Sequence, residues 1–442
     1  MGGFARHAEA VADVVPLIDL DAASSRAEVE DEPLRLRLNA PRSVLVAGVL
    51  VAVLLLLSAA APPPPSMRPV LSAGGTAAAA FRLDADALYT ATFGQNPNSE
   101  SAVRRYALTG GAPVWERSLP QNVQHLMVDG GILLARSGSA PAMSFLDAAD
   151  GRLLWHLESP DTAAVTLAGG KVLLRSDVGG NRTQLRLADA RTGATIWIRL
   201  VDQASEIGND DVYESSPQRI VVVGTDGHVT TLRFADGVVL GEGDLGVRLP
   251  VQLDGDFLAD FVGVTVSGDS VYVSRRERGK SSLTAYGLPG LAVRWRAEGG
   301  PVGSVHECGP VLCISDTRWV SGLDPGDGSV RWSDPAWSTA YSAGGDTLIA
   351  YDQQEFPESA VLDAATGKVV RKLGRTYVTG GLELRSDTEI AALTWVNVPG
   401  AGDGAAHTVG SLATEAPFGC DVLVPYLACP TTAGPTTVYR IP

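Results

Sequence analysis

Short apolar runs separated by polar turns dominate the chain from about residue 76 onward. GKVLLRS (170–176), RIVVVGT (219–225), DSVYVSR (269–275) and DTLIAYD (346–352) are rich in β-branched residues and too short for helices, so they predict strands. Between such runs one turn keeps returning: YALTGGAPVW (106–115), FLDAADGRLLW (145–155), LADARTGATIW (187–197), LRFADGVVLG (232–241), AYGLPGLAVRW (285–295), GLDPGDGSVRW (322–332) and VLDAATGKVVR (361–371). In six of the seven, the residue four places after the turn glycine is Trp115, Trp155, Trp197, Gly241, Trp332 or Arg371; Trp295 follows at five.

These marks lie 37 to 54 residues apart, mostly close to 40. That is the period of a propeller blade built from four antiparallel strands. The turn chemistry is local: an Asp at a strand end bonds its own backbone two residues on, and Gly takes the positive φ of a tight hairpin. A lone blade cannot bury its faces, so each must stack on the next. A Trp held at one register fills the gap between neighbours, donates its indole N–H to a facing carbonyl, and removes roughly 150–250 Å² from water. Five of the eight tryptophans occupy this position, so the recurrence is read as structural.

One segment breaks the pattern. SVLVAGVLVAVLLLLSAAA, residues 43–61, carries no charge. As a helix it has the length of a bilayer's hydrocarbon layer, about 30 Å. Arg35, Arg37 and Arg42 precede it and Arg68 follows, which predicts residues 1–42 in the cytoplasm and the rest outside. The long leader and Pro62 argue for an uncleaved signal anchor over a cleaved signal peptide. Residues 1–42 are expected to be a disordered tail. APPPPSMRP (61–69) is expected to be a stiff extended spacer, with a ring-closing strand near Val70 and Leu71.

Composition agrees with a globular β protein: 45% hydrophobic, 19% charged, with 49 Gly and 27 Pro. A net charge of −15 with only four lysines excludes nucleic acid as a partner, since phosphate binding needs a basic face.

LDAATGKVV, LADARTGATIW and FLDAADGRLLW resemble the tryptophan-docking repeats of the PQQ-binding-like β-propeller superfamily, over roughly residues 76–442. That repeat serves quinoprotein dehydrogenases, the outer-membrane barrel-assembly propeller lipoprotein and many membrane-anchored bacterial proteins, so the resemblance implies fold more than activity. A quinoprotein dehydrogenase would require adjacent cysteines over its quinone and calcium ligands. No Cys–Cys pair occurs here, and neither PQQ nor calcium is expected.

Four cysteines, Cys308, Cys313, Cys420 and Cys429, follow the apolar span and predict two disulfides outside the cell. Of three pairings, the local ones fit a ring in which residues 308 and 420 sit on distant blades. No CxxC or zinc-type His spacing is present, and HExxH, GxSxG and P-loop patterns are absent. The two longest intervals between marks, 44 and 54 residues, contain the acidic stretches 202–215 and 253–261 respectively. Asp254, Asp256, Asp260, Phe257 and Phe261 in the second are the expected partner-binding loop, without calcium-loop spacing.

The expected molecule is all-β: an eight-bladed propeller, seven being the alternative count, of four-stranded antiparallel blades over 76–442. It is preceded by a tail (1–42), one transmembrane helix (43–61) and a linker (62–75). Its expected role is a non-catalytic scaffold or sensor at the cell membrane, binding an envelope protein or a small ligand on the propeller. The alternative is a quinone- or metal-dependent oxidoreductase.

Overall fold

The computed structural model describes residues 66–73, 78–92, 100–138, 142–209, 217–249, 261–278, 280–316, 319–352, 358–387, 390, 393–399, 406–414, 419–431 and 434–442. The tail, the expected membrane helix and the prolines 62–65 lie outside these. Among the described residues, no helix is long and apolar enough to cross a membrane.

Among the described residues thirty-six strands form nine four-stranded antiparallel sheets, so this is a nine-bladed propeller and not the expected eight-bladed one. Blades 1 to 8 take four consecutive strands each, over residues 78–119, 123–158, 162–202, 204–244, 261–298, 304–334, 339–374 and 376–413. Blade 9 draws three strands from residues 421–440 and its fourth, Arg68–Ala73, from the other end of the chain. Leu71 pairs with Val438 and Ser72 with Thr437. Joining the two ends in one sheet closes the ring and removes its open edge.

The tryptophan-docking motif does not recur in the sequence of the last two blades, so it gives no count of them. Blade 8 joins its third and fourth strands, Leu393–Val398 and His407–Ala413, through a longer connection, and its fourth strand carries no tryptophan. Blade 9 is split between the termini, so no hairpin motif marks its last strand.

First strands of successive blades lie against one another, as 78–84 does against both 123–129 and 421–423, so they line the axis of the ring. Fourth strands lie at the rim. The core is consequently a series of layers between blades. In blade 3, Leu173 packs with Trp197 and with Ile220, Val222 and Phe234 of blade 4, whereas its neighbours Val172 and Leu174 pack with Leu134 and Phe145 of blade 2. Both faces of the strand are buried, which is why KVLL reads as an unbroken apolar run.

Candidate functional site

What fixes the shape of any binding surface here is the join between blades. Trp197 begins its approach with a β-bulge: Leu187 faces Trp197 and Ala188 faces Thr195, leaving Ile196 unpaired. The same irregularity falls at the corresponding place in blades 2, 4, 5, 6 and 7. A bulge bends a strand and re-aims the side chain beside it, here toward the next blade.

The indole then docks on that blade's turn. Trp115 Nε1 donates to Ala148 O at 3.2 Å, Trp155 to Ala190 O at 2.8 Å, Trp197 to Phe234 O at 2.9 Å, Trp295 to Pro325 O at 2.9 Å and Trp332 to Ala364 O at 2.8 Å. Each ring covers the glycine of the turn it meets. A Cβ added at Gly151, Gly193, Gly237, Gly328 or Gly367 would lie within 2.4 to 2.9 Å of the ring. Those glycines also have φ near +70°, so conformation and space both select Gly. The aspartates of the repeat hold the turn: Asp189 Oδ1 accepts from the Thr192 N–H and hydroxyl, both at 2.8 Å, and the hydroxyl bond leads the causes that lower its pKa.

Both departures from the repeat have a partner across the joint. Gly241 stands in the docking position of blade 4, and the turn it meets in blade 5 is the LPG variant. A Cβ at Gly241 would lie 2.2 Å from Pro289 O, and one at Gly243 would meet Leu291 Cδ1 at 2.7 Å. The turn moves into the space an indole would fill, so this joint is closed by backbone and Leu291. At blade 7, Arg371 reaches Glu383, on the second strand of blade 8, through Nη1 at 3.1 Å and through Nη2. Glu383 is buried, and this bond raises the Arg371 pKa.

The cysteines pair locally, Cys308 with Cys313 and Cys420 with Cys429. The first bridges neighbouring strands of blade 6, and the second ties the entry of blade 9 to its second strand. His306, Cys308 and Cys313 bring ligand atoms within 4.8 Å of one another. With both sulfurs bonded, the group offers a metal no thiolate.

The axis carries the most varied chemistry. A cavity of about 480 Å³ opens among the first strands of blades 9, 1 and 2, lined by Arg82, Gln124, His125, Leu126, Asp421 and Phe81 among others. Asp421 accepts the Leu83 N–H at 2.8 Å and sits 3.6 Å from Arg82. Across blades 6 to 8 runs a row of rings: His306 to Tyr341 at 5.5 Å, Tyr341 to Tyr351 at 6.4 Å, and Tyr351 to Tyr377 at 6.3 Å. His306 Nε2 lies 2.6 Å from Ala340 O. A carbonyl only accepts, so Nε2 carries the proton, and burial pushes the imidazole pKa down. Glu206, on the first strand of blade 4, has its pKa raised by burial.

Of the expected partner loop, Asp254, Phe257, Asp256 and Asp260 lie outside the described residues, and Phe261 opens the first strand of blade 5, paired with Arg276. The ring row escaped sequence reasoning. Its residues are 35 and 36 positions apart from His306 to Tyr341 to Tyr377, nearly the blade period, and that recurrence was the available signal.

The family model described as outer membrane protein assembly factor BamB matches residues 99–334. No curated protein matches the chain. Among solved structures, BamB from Moraxella catarrhalis gives a TM-score of 0.45 at 14% identity, covering 82% of this chain and 94% of that one. The computationally designed Ika8 protein gives 0.44 at 11%, covering 85% and 100%. Sqt1 of Saccharomyces cerevisiae gives 0.45 at 12%, also covering 85% and 100%.

Proposed function

The chain belongs to the family of the outer membrane protein assembly factor BamB, a PQQ-like β-propeller repeat family, and from that premise we propose that it is a protein-binding scaffold of the cell envelope. The observation that carries the reading is the extent of the match, which runs from the third strand of blade 1 to the end of blade 6 and takes in the docking joints between them. A ring of locked blades presents loops and strand edges at fixed spacing, and this suits it to hold partners more than to transform them. In this reading the apolar segment 43–61 anchors the chain in the membrane, the tail 1–42 stays inside, and the propeller works outside. Catalysis has no part in it.

The test uses the full chain, cross-linked in cells, extracted in detergent and affinity-purified. A reproducible set of envelope proteins in stoichiometric amounts supports the scaffold. Purification of the chain alone, or dye reduction after addition of PQQ and calcium, sinks it.

A further inference from the structure

Blades 1, 2, 3, 5, 6, 7 and 8 turn from their first strand to their second through two residues that always include Gly or Asp, such as Ala85 and Asp86 or Gly345 and Asp346. Blade 9 makes the same turn through Val424 and Pro425, with Leu423 and Tyr426 paired at its base. Val424 is 74% exposed, more than any other large aliphatic or aromatic side chain among the described residues, and Leu423 is 38% exposed. A lone exposed valine is ordinary. Here it tips a run of four apolar or aromatic residues, which a surface turn does not carry without a use.

The register sets a basic pair in the same row. Leu423 stands opposite Tyr426, Tyr426 opposite Arg440, and Arg440 opposite Arg68, so the four side chains share one face at one end of the blade. Arg68 and Arg440 are exposed and form no ion pair among the described residues, whereas Arg82 and Arg105 in the adjoining blade 1 each face a carboxylate. Like charges directly opposite one another destabilise a sheet. An anion held between the two guanidinium groups removes that cost.

The chain's own connectivity says what lies near this end. Arg68 opens the outer strand of blade 9 in the row of the hairpin tip, and it stands seven residues after Ala61, where the apolar segment 43–61 ends. Seven residues reach about 25 Å at most, and the three strand spacings from Arg68 to Leu423 amount to about 14 Å. With residues 43–61 in a bilayer, so short a tether keeps the tip at high effective concentration beside the lipid. The corresponding turns of blades 1, 5 and 7 carry Asp86, Asp269 and Asp346, which an anionic surface repels. That confines the contact to blade 9.

We propose that the hairpin of residues 423–426 is a second membrane contact, with Leu423 and Val424 entering the interfacial layer of an anionic bilayer and Arg68 and Arg440 taking lipid phosphates. The inference rests on the anchor reading of residues 43–61 and specifies how the propeller is set on the membrane. Tyr426 suits the same layer, where its ring meets apolar chains and its hydroxyl meets water. Two arginines and two aliphatic side chains hold weakly alone; the tether makes them sufficient.

All four cysteines are paired, so one added thiol takes a fluorophore selectively. The full chain with Val424→Cys is labelled with nitrobenzoxadiazole and placed in nanodiscs of phosphatidylcholine and phosphatidylglycerol. Val178→Cys and Val293→Cys carry the same dye as controls for its own lipid affinity. Val178 lies between the second and third strands of blade 3, at the opposite end of the ring, and Val293 lies on the outer strand of blade 5; both are well exposed. Spin-labelled lipid should quench the dye at position 424 and not at 178, and aqueous iodide should quench it at least about threefold less at 424 than at either control. Arg68→Gln with Arg440→Gln should remove most of that protection, as should discs of phosphatidylcholine alone. The substituted positions are all at the surface, and an unchanged melting temperature verifies each variant's fold.

A chain that enters the discs yet exposes position 424 to iodide as freely as position 178 overturns the proposal and leaves the anchor reading standing. Protection from iodide without quenching by lipid also overturns it, since protein then covers the tip. So does full protection in the Arg68→Gln, Arg440→Gln variant, which leaves no role for an anionic surface. A chain that never enters the discs removes the anchor reading and this inference with it.

Discussion

Replacing Gly237 by Ala and Trp197 by Ala, singly and together, measures a docking joint directly. Trp197 is 7% exposed and its indole bonds Phe234 O at 2.9 Å, so Trp197→Ala should cost about 3–5 kcal/mol as a large-to-small core substitution. Gly237→Ala meets two penalties. Its φ of +69° costs an L-residue about 1–2 kcal/mol. A Cβ 2.7 Å from Trp197 Cδ2 adds overpacking of about 1–3 kcal/mol. Once the indole is gone only the first remains, so the double variant should be more stable than additivity predicts by about 1–3 kcal/mol. Gly179→Ala is the control: its φ is +79° but nothing lies within 4 Å, so it should not couple to Trp197→Ala. Guanidinium unfolding of the full chain in detergent, followed by far-ultraviolet circular dichroism, gives the four free energies. Additivity within about 0.5 kcal/mol would refute the docking geometry.

Other outcomes follow from single contacts. Arg371→Met strands the buried Glu383 carboxylate and should cost about 2–3 kcal/mol, and adding Glu383→Met should recover part of it in the same melts. His306 has a folded pKa below its unfolded value of about 6.5. Its contribution is complete above that value and is lost as pH falls, when the unfolded chain takes up the proton first. His306→Gln should therefore flatten the acid side of a stability profile below about pH 6.5. The disulfides close loops of 5 and 9 residues, and opening either by paired Cys→Ser changes should cost about 2–3 kcal/mol on the loop-entropy estimate. Non-reducing peptide mapping should find no link between the two pairs.

The repeat was legible because one local demand, a left-handed glycine under an indole, imposes the same letters wherever a joint is built that way. Where the joint is built differently the letters change together. Gly241 and the LPG turn are two halves of one substitution across a joint, and Arg371 and Glu383 are two halves of another. Read one at a time they pass for two poorly packed interfaces; in the structure each is filled. Blade number was illegible because blade 8 has no such joint to mark it and blade 9 exists only when the chain's ends meet. The ring row of His306, Tyr341, Tyr351 and Tyr377 was hidden for another reason: strand periodicity says which face a residue occupies, not which strands surround the axis.

The ring closes through a last sheet shared by Arg68–Ala73 and residues 421–440. Ser72 and Thr437 are directly paired, with hydroxyl oxygens 3.5 Å apart. Ser72→Cys with Thr437→Cys in the full chain, oxidised without denaturant and mapped by mass spectrometry, should yield one new cross-link joining peptides from the two ends in nearly every molecule. If that link forms only after unfolding, or residue 72 couples elsewhere, the closed nine-bladed ring is wrong.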